Sequence, residues 1–234
     1  MRGCLFVLVL AAAVLGSLAW FGSPVVASAI IQAALEGSGY HAATSTVRAT
    51  SNPPPKLLLG RADRVDIEGE DVDFRTFHAA RLDLALTDVD VVARTAGGVS
   101  GRIDGAELRT TDGVAAVADV SIEGTGGTAA ATINVEGATV DRVVRDAFQR
   151  QFDVALTAVA LVAPNVLRIS AGLTTVEGRL EVDAAGAIAL RTPLGSSAIL
   201  HFDPSFPIRL DAVAVAGSNL RIDATLDTEA LLGG

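Results

Sequence analysis

An α+β fold built on a long antiparallel sheet is predicted by three features of this 234-residue chain. Apolar residues recur at helical spacing in only two short segments, and most of the chain beyond residue 39 has a period of two. The period-two segments alternate apolar with charged side chains, as a sheet with one dry face and one wet face requires. Half of the residues are apolar, so the chain can build a sizeable core.

The first element is an apolar run from Cys4 to Phe21, 18 residues behind Arg2. That is longer than a usual signal core and just short of a comfortable membrane span. Residues 1–22 are therefore assigned as a signal peptide or membrane anchor, and residues 23–234 as a single domain. Ser17 and Ala19, or Ala27 and Ala29, supply small residues for cleavage, whereas Trp20 and Phe21 suit the interfacial end of a retained helix. Next, Pro24 occupies a tolerated position in a first helical turn, and Val25, Val26, Ala29, Ile30, Ala33 and Ala34 follow at helical spacing until Gly37 and Gly39. The predicted helix, Pro24 to Glu36, has only Ser28, Gln32 and Glu36 as a polar stripe, so most of its surface needs a cover.

Strands follow. Val65 and Ile67 alternate with Arg64, Asp66 and Glu68, and Leu82, Leu84 and Leu86 alternate with Arg81 and Asp83. Val89 and Val91 continue on the opposite parity, which predicts a bulge or bend at Thr87 and Asp88. Asp104-Gly105 and Asp112-Gly113 read as hairpin turns, and Gly124 with Gly126-Gly127 as a further break. A second helix is predicted near Val140 to Phe152, with Val140, Val143, Val144, Ala147 and Phe148 opposed to Asp141, Arg142, Arg145 and Arg150. Strands then resume over Val166–Leu173, Val176–Val182, Ala187–Leu190, Ile208–Val215 and Leu220–Leu226. The order is helix then meander, twice. Two helices of about a dozen residues cannot cover so many strands, so the sheet is expected to curl on itself. An enclosed apolar cavity and a tightly packed Ala- and Val-rich core both satisfy that expectation.

Charge and composition narrow the function. Beyond the leader, 17 basic residues face 27 acidic ones, a net charge near −10, which disfavours nucleic acid as a partner. Lys56 is the sole lysine, so a general electrostatic grip on anionic lipid is disfavoured as well. Cys4, the one cysteine, lies in the leader, which leaves the domain without disulfides or thiol chemistry. His41, His78 and His201 form no spaced ligand pair, and no metal or cofactor is expected. "IEGEDVD", residues 67 to 73, lacks calcium-loop spacing and reads as a solvated turn. Asp88 and Asp90, two residues apart on a strand, are the only acid pair with a catalytic look, and the same pattern marks every wet strand here. No nucleophile elbow, P-loop or dinucleotide fingerprint appears. The chain is not expected to be an enzyme.

"PPKLLLGRADRVDIEGEDVDF", residues 54 to 74, with "ARLDLALTDVDV", residues 80 to 91, and "FPIRLDAVAVAGSNLRIDATL", residues 206 to 226, resembles the LmeA-like family of bacterial cell-envelope phospholipid-binding proteins. The family's G-x-A-D strand is matched by Gly60, Ala62 and Asp63, and its next strand by Leu82, Leu84, Val89 and Val91. The run Pro53 to Pro55 and the Gly-rich middle depart from the family pattern. The resemblance implies a tubular lipid-binding (TULIP-like) fold, in which a long curled sheet wraps around the N-terminal helix, with a second shorter helix, and leaves an elongated apolar groove. It also implies a phospholipid or glycolipid partner, a location in the periplasm or on the outer face of a bacterial cytoplasmic membrane, and a role in lipid carriage or envelope lipid homeostasis. The expected groove residues are Ile30, Ile31 and Leu35 on the first helix and Leu82, Leu84 and Leu86 on a strand. Membrane contact is expected through the N-terminal segment and through loops at Pro53 to Leu58 and Phe202 to Pro207. At roughly 0.8 kcal/mol per CH₂, two chains of about sixteen carbons cost over 20 kcal/mol to expose to water, so a carrier needs continuous enclosure. A fully packed envelope scaffold and an envelope hydrolase are the competing readings.

Overall fold

The protein was analysed as a computed structural model, which describes residues 22–37, 39–74, 77–109, 115–193, 195–200 and 208–228. Among the described residues, 22–37 form the first helix, α1. The strands β1 (Tyr40–Thr50), β2 (Arg61–Phe74), β3 (Phe77–Asp90), β4 (Gly98–Arg109), β5 (Ala115–Thr125) and β6 (Thr128–Val135) form a meander, with a 3-10 turn at Pro54–Leu59 between β1 and β2. Helix α2 (Gly137–Phe152) follows, then β7 (Ala158–Val162), β8 (Val166–Ala171), β9 (Thr174–Val182), β10 (Ile188–Thr192), β11 (Gly195–Leu200), β12 (Ile208–Ala216) and β13 (Asn219–Asp227).

The antiparallel α+β expectation holds, but the strands divide into two sheets. One has eight strands in the order β1-β2-β3-β4-β5-β6-β13-β12, and the other five in the order β11-β10-β9-β8-β7. The helix-then-meander order recurs, although the last hairpin, β12–β13, returns to the first sheet beside β6. The large sheet is open, with β1 and β12 at its edges. Its inner face is covered at two places. Helix α1 lays Ala27, Ile31 and Leu35 on a core of Tyr40, Val47, Ala49, Val65, Ile67 and Val72. At the other end, α2 inserts Val140, Val143 and Val144 among Ile133, Leu220 and Ile222 of the large sheet and Leu167, Leu180 and Ile188 of the small one. Helix α2 has 16 residues, and the chain turns helical at Gly137 once the Glu136 carbonyl accepts the Val140 N–H.

Two sequence-predicted turns are strand interior. Asp104-Gly105 lies within β4, where Gly105 has φ +61° and the register against β5 shifts between Ile103 and Ala106, so this Asp-Gly makes a bulge. "IEGEDVD" runs through β2, with Asp71 at φ 52°. These positions share one row across the sheet. Glu70 pairs with Arg81 and Val72 with Ala79, which sets Asp71 beside Ala80, and a Cβ on Gly105 would lie 3.1 Å from the Ala80 Cβ. On each of the three strands the buried parity changes at this row, from Gly69 to Val72, Ala79 to Leu82 and Ile103 to Ala106. Because neighbours kink together, the dry face stays continuous. The bend predicted at Thr87 and Asp88 is present, with Asp88 at φ 49° and the Gly97 N–H donating to both the Thr87 and Asp88 carbonyls. Gly126-Gly127 is the β5–β6 turn, whereas Asp112-Gly113 lies outside the described residues.

The wet face carries a recurrent Arg-apolar-Asp triplet. Arg64 and Asp66 are 2.7 Å apart, Arg209 and Asp211 3.0 Å, Arg221 and Asp223 2.9 Å, and Arg102 pairs likewise with Asp104. The residue between each pair points inward, as Val65, Leu210 and Ile222 show by being almost fully buried. Exposed pairs of this kind add little stability; their effect here is to offset local charge along strands whose opposite face is apolar.

Candidate functional site

Between its two covered ends, the inner face of the large sheet has a half-buried apolar strip. Leu84, Leu86, Val99 and Ile103 on β3 and β4 are partly exposed, and Leu84 and Ile103 touch both cores. Alternation in "ARLDLALTDVDV" turns Leu84 and Leu86 inward and Asp83 outward, and the register against β4, Leu86 with Val99, Leu82 with Ile103 and Asp83 with Arg102, continues the same faces, so the strip is free of charge. Of the six expected groove residues, Leu84 and Leu86 lie on this strip. Ile31 and Leu35 pack against β1–β3, and Leu82 is core, 6% exposed. Ile30 lies on the opposite side of α1, 58% exposed. Val99 and Ile103 were missed because Gly101 and Gly105 interrupt the alternation of β4.

The polar stripe of α1 has a definite task. Ser28 Oγ accepts the Ala49 N–H at 3.0 Å on edge strand β1 and donates to the Pro24 carbonyl at 2.7 Å, so the helix satisfies a buried donor of the sheet. Gln32 donates to Glu36 at 3.1 Å beside it. The stripe facing away from the sheet, Val25, Val26, Ala29, Ile30 and Ala33, is exposed and uncharged.

At the end of the sheet next to the start of α1, the G-x-A-D residues build a tip. Gly60 ends the 3-10 turn in the left-handed conformation, φ +75°, and its carbonyl accepts the Val91 N–H at 2.8 Å. A Cβ on Gly60 would stand 3.0 Å from the Val92 Cγ2, so the Leu58–Leu59 turn and the Val91–Val92 turn touch here. Ala62 is buried. Asp63 accepts the Asn52 N–H at 2.6 Å and pairs with Lys56 at 3.5 Å. The Asn52 bond holds its carboxyl below the ordinary Asp range. Asp90 does the same for the second turn, accepting from Ala93 N at 2.9 Å, Val92 N at 3.0 Å and Arg61 Nε at 3.3 Å; its pKa is lowered chiefly by the Ala93 bond. Ser23 Oγ donates to the Pro54 carbonyl at 2.9 Å and ties the start of α1 to the same end. Of the loops expected to admit lipid, the one at Pro53 to Leu58 is this tip, with Leu57 buried and Leu58 projecting, and Phe202 to Pro207 lies outside the described residues.

Of the acid pair, Asp90 is committed to capping the Val91–Val92 turn. A general acid needs a raised pKa, and Asp90 is held down by the backbone donors it caps. His78 sits near the start of β3, 3.1 Å from Asp73 and 3.5 Å from Asp71, His41 is exposed on β1, and His201 is outside the described residues. Among the described residues no group of three or more His, Cys, Asp or Glu could hold a metal ion. A cleft of about 540 Å³ lies elsewhere, between the start of α2, β7 and the β12–β13 turn; Glu136 and Asp141 line it together with Val140, Val159, Leu161 and Asn219. A void of about 20 Å³ under α2 leaves the far core essentially full. No helix among the described residues is long and apolar enough to cross a membrane.

No curated protein and no solved structure matches the chain. A family model does, from residue 13 to residue 225, covering α1, both sheets, the apolar strip and the tip. On that match the chain belongs to the LmeA-like phospholipid-binding family.

Proposed function

We propose that the protein holds a phospholipid or glycolipid with its acyl chains against the apolar strip of the inner face and passes it between membranes or keeps it in reserve, without covalent chemistry. The observation that carries this reading is the uncharged, half-buried surface of Leu84, Leu86, Val99 and Ile103, flanked by two closed cores, in a chain that belongs to a phospholipid-binding family. An apolar surface between packed walls excludes water from an acyl chain without offering a polar partner to the head group. Closure of the open sheet around the lipid, in the manner of a TULIP fold, is part of the proposal. So is a working position in a bacterial cell envelope, exported or tethered by residues 1–22, on the outer face of the cytoplasmic membrane or in the periplasm.

The test is a native mass of the protein purified from a bacterial envelope, followed by solvent extraction and identification of any lipid. A stoichiometric excess mass that resolves to phospholipid or glycolipid is the expected result. A bare polypeptide mass, unchanged after incubation with liposomes, would favour the packed scaffold, which the fullness of the α2 core otherwise supports.

A further inference from the structure

Three segments distant in sequence bring exposed apolar side chains to one end of the large sheet. Helix α1 contributes Val25 and Val26, 72% and 50% exposed; the 3-10 turn contributes Leu58 and Leu59, 54% and 73%; the turn after β3 contributes Val91 and Val92, 38% and 81%. Their proximity rests on the Ser23–Pro54 and Gly60–Val91 hydrogen bonds and the Gly60–Val92 contact. Isolated exposed apolar residues are ordinary, but a cluster held in place by two dedicated carboxylates, Asp63 and Asp90, is an interaction surface.

Two further observations select the occupant. The 18 apolar residues from Cys4 to Phe21 immediately precede this end of α1, and a run of that length spans about 27 Å as a helix, close to a hydrocarbon core. Retained as the anchor, this run would set a bilayer surface within a few residues of Ser23 and therefore beside the tip. The charge agrees. Residues 22–30, 53–63 and 90–95 carry Lys56, Arg61 and Arg94 against Asp63 and Asp90, a balance of +1 in a chain of net charge −9. The acidic surplus that an anionic membrane would repel lies elsewhere.

We infer that this tip docks on a lipid bilayer, with Leu58, Leu59, Val91 and Val92 in the interface and the G-x-A-D residues Gly60, Ala62 and Asp63 as its scaffold. The inference deepens the lipid-binding reading and rests on it for its purpose, which is to bring the end of the sheet to the membrane from which a lipid enters.

The experiment uses the full chain with Cys4→Ser and one new cysteine, Leu59→Cys, Val92→Cys or Glu68→Cys, labelled with an environment-sensitive fluorophore and reconstituted into phosphatidylcholine and phosphatidylglycerol vesicles. Glu68 is exposed on the wet face of β2, eight residues from Gly60, or about 26 Å along the strand. Labels at 59 and 92 are expected to shift to the blue and to be quenched several-fold by spin-labelled lipid, while the label at 68 stays aqueous. Labels at 59 and 92 as aqueous as at 68 would overturn the inference. So would a blue shift without quenching by lipid, which means that a second copy covers the tip. Native mass of the same preparations separates this from the parent reading: bound lipid with an aqueous tip overturns docking alone, and a quenched tip without bound lipid upholds docking and removes the carrier.

Discussion

Replacing Leu84 by Asp tests whether the inner strip is a binding surface. Leu84 is partly exposed, so in the lipid-free protein a carboxylate there reaches water and the fold survives. Against an acyl chain the same carboxylate is stripped of water with no cation facing it, at an effective cost of several kcal/mol. Taking about 3 kcal/mol, lipid affinity falls roughly 100-fold. Leu84→Ala removes three carbons, worth about 2 kcal/mol if fully buried and nearer 1 for a half-buried side chain, so it lowers affinity by less than tenfold. The assay is extraction of a fluorescent phospholipid from vesicles, with circular dichroism to verify the fold. A folded Leu84→Asp protein that extracts lipid as well as the parent would refute the placement of acyl chains on this strip.

Ile222→Ala, at a fully buried position of the larger core, should destabilise by about 2–5 kcal/mol, read from denaturant midpoints; a loss below 1 kcal/mol would mean that the core between the two sheets is loose. Ser28→Ala removes the acceptor for the Ala49 N–H and should cost about 1–3 kcal/mol, with hydrogen exchange at Ala49 faster than at its neighbours on β1. Gly60→Ala forces a side chain into the left-handed region and toward Val92, costing about 1–2 kcal/mol; an unchanged denaturation midpoint would show that the two turns of the tip are not coupled. The pH response follows from Asp63 and Asp90, whose folded pKa values are lowered, first by the bonds from Asn52 and Ala93 respectively. Their contribution is complete above the unfolded value of about 3.9 and is lost as pH falls through the folded values. Amide protection at Asn52, Val92 and Ala93 should therefore be flat from pH 7 to 5 and collapse only in stronger acid; loss near pH 6 would exclude these carboxylates as the cause.

Alternation alone determined the central parts of β2 and β3 and which face of them is dry: Val65, Ile67, Leu82 and Leu84 point inward because Arg64, Asp66 and Asp83 have to reach water. Helical spacing likewise determined α2 and the end of α1 to within a few residues. The chemistry of the tip was legible only as a motif, since nothing in the string says that Asp63 caps Asn52 or that Gly60 has to leave room for Val92. Tertiary structure decided the rest. It made two sheets of strands that read as one, because α2 can bury Val140, Val143 and Val144 on both sides only if the chain after it forms a second layer. It turned the Asp-Gly of β4 and the acidic run of β2 from turns into a row of kinks, since a left-handed residue inside a strand is tolerated when the neighbouring strand bends in the same row. And it left Leu84 and Ile103 half-covered while Leu82 is core. Period two assigns a side chain to a face, but only the packing of distant elements determines how much of that face remains for a ligand.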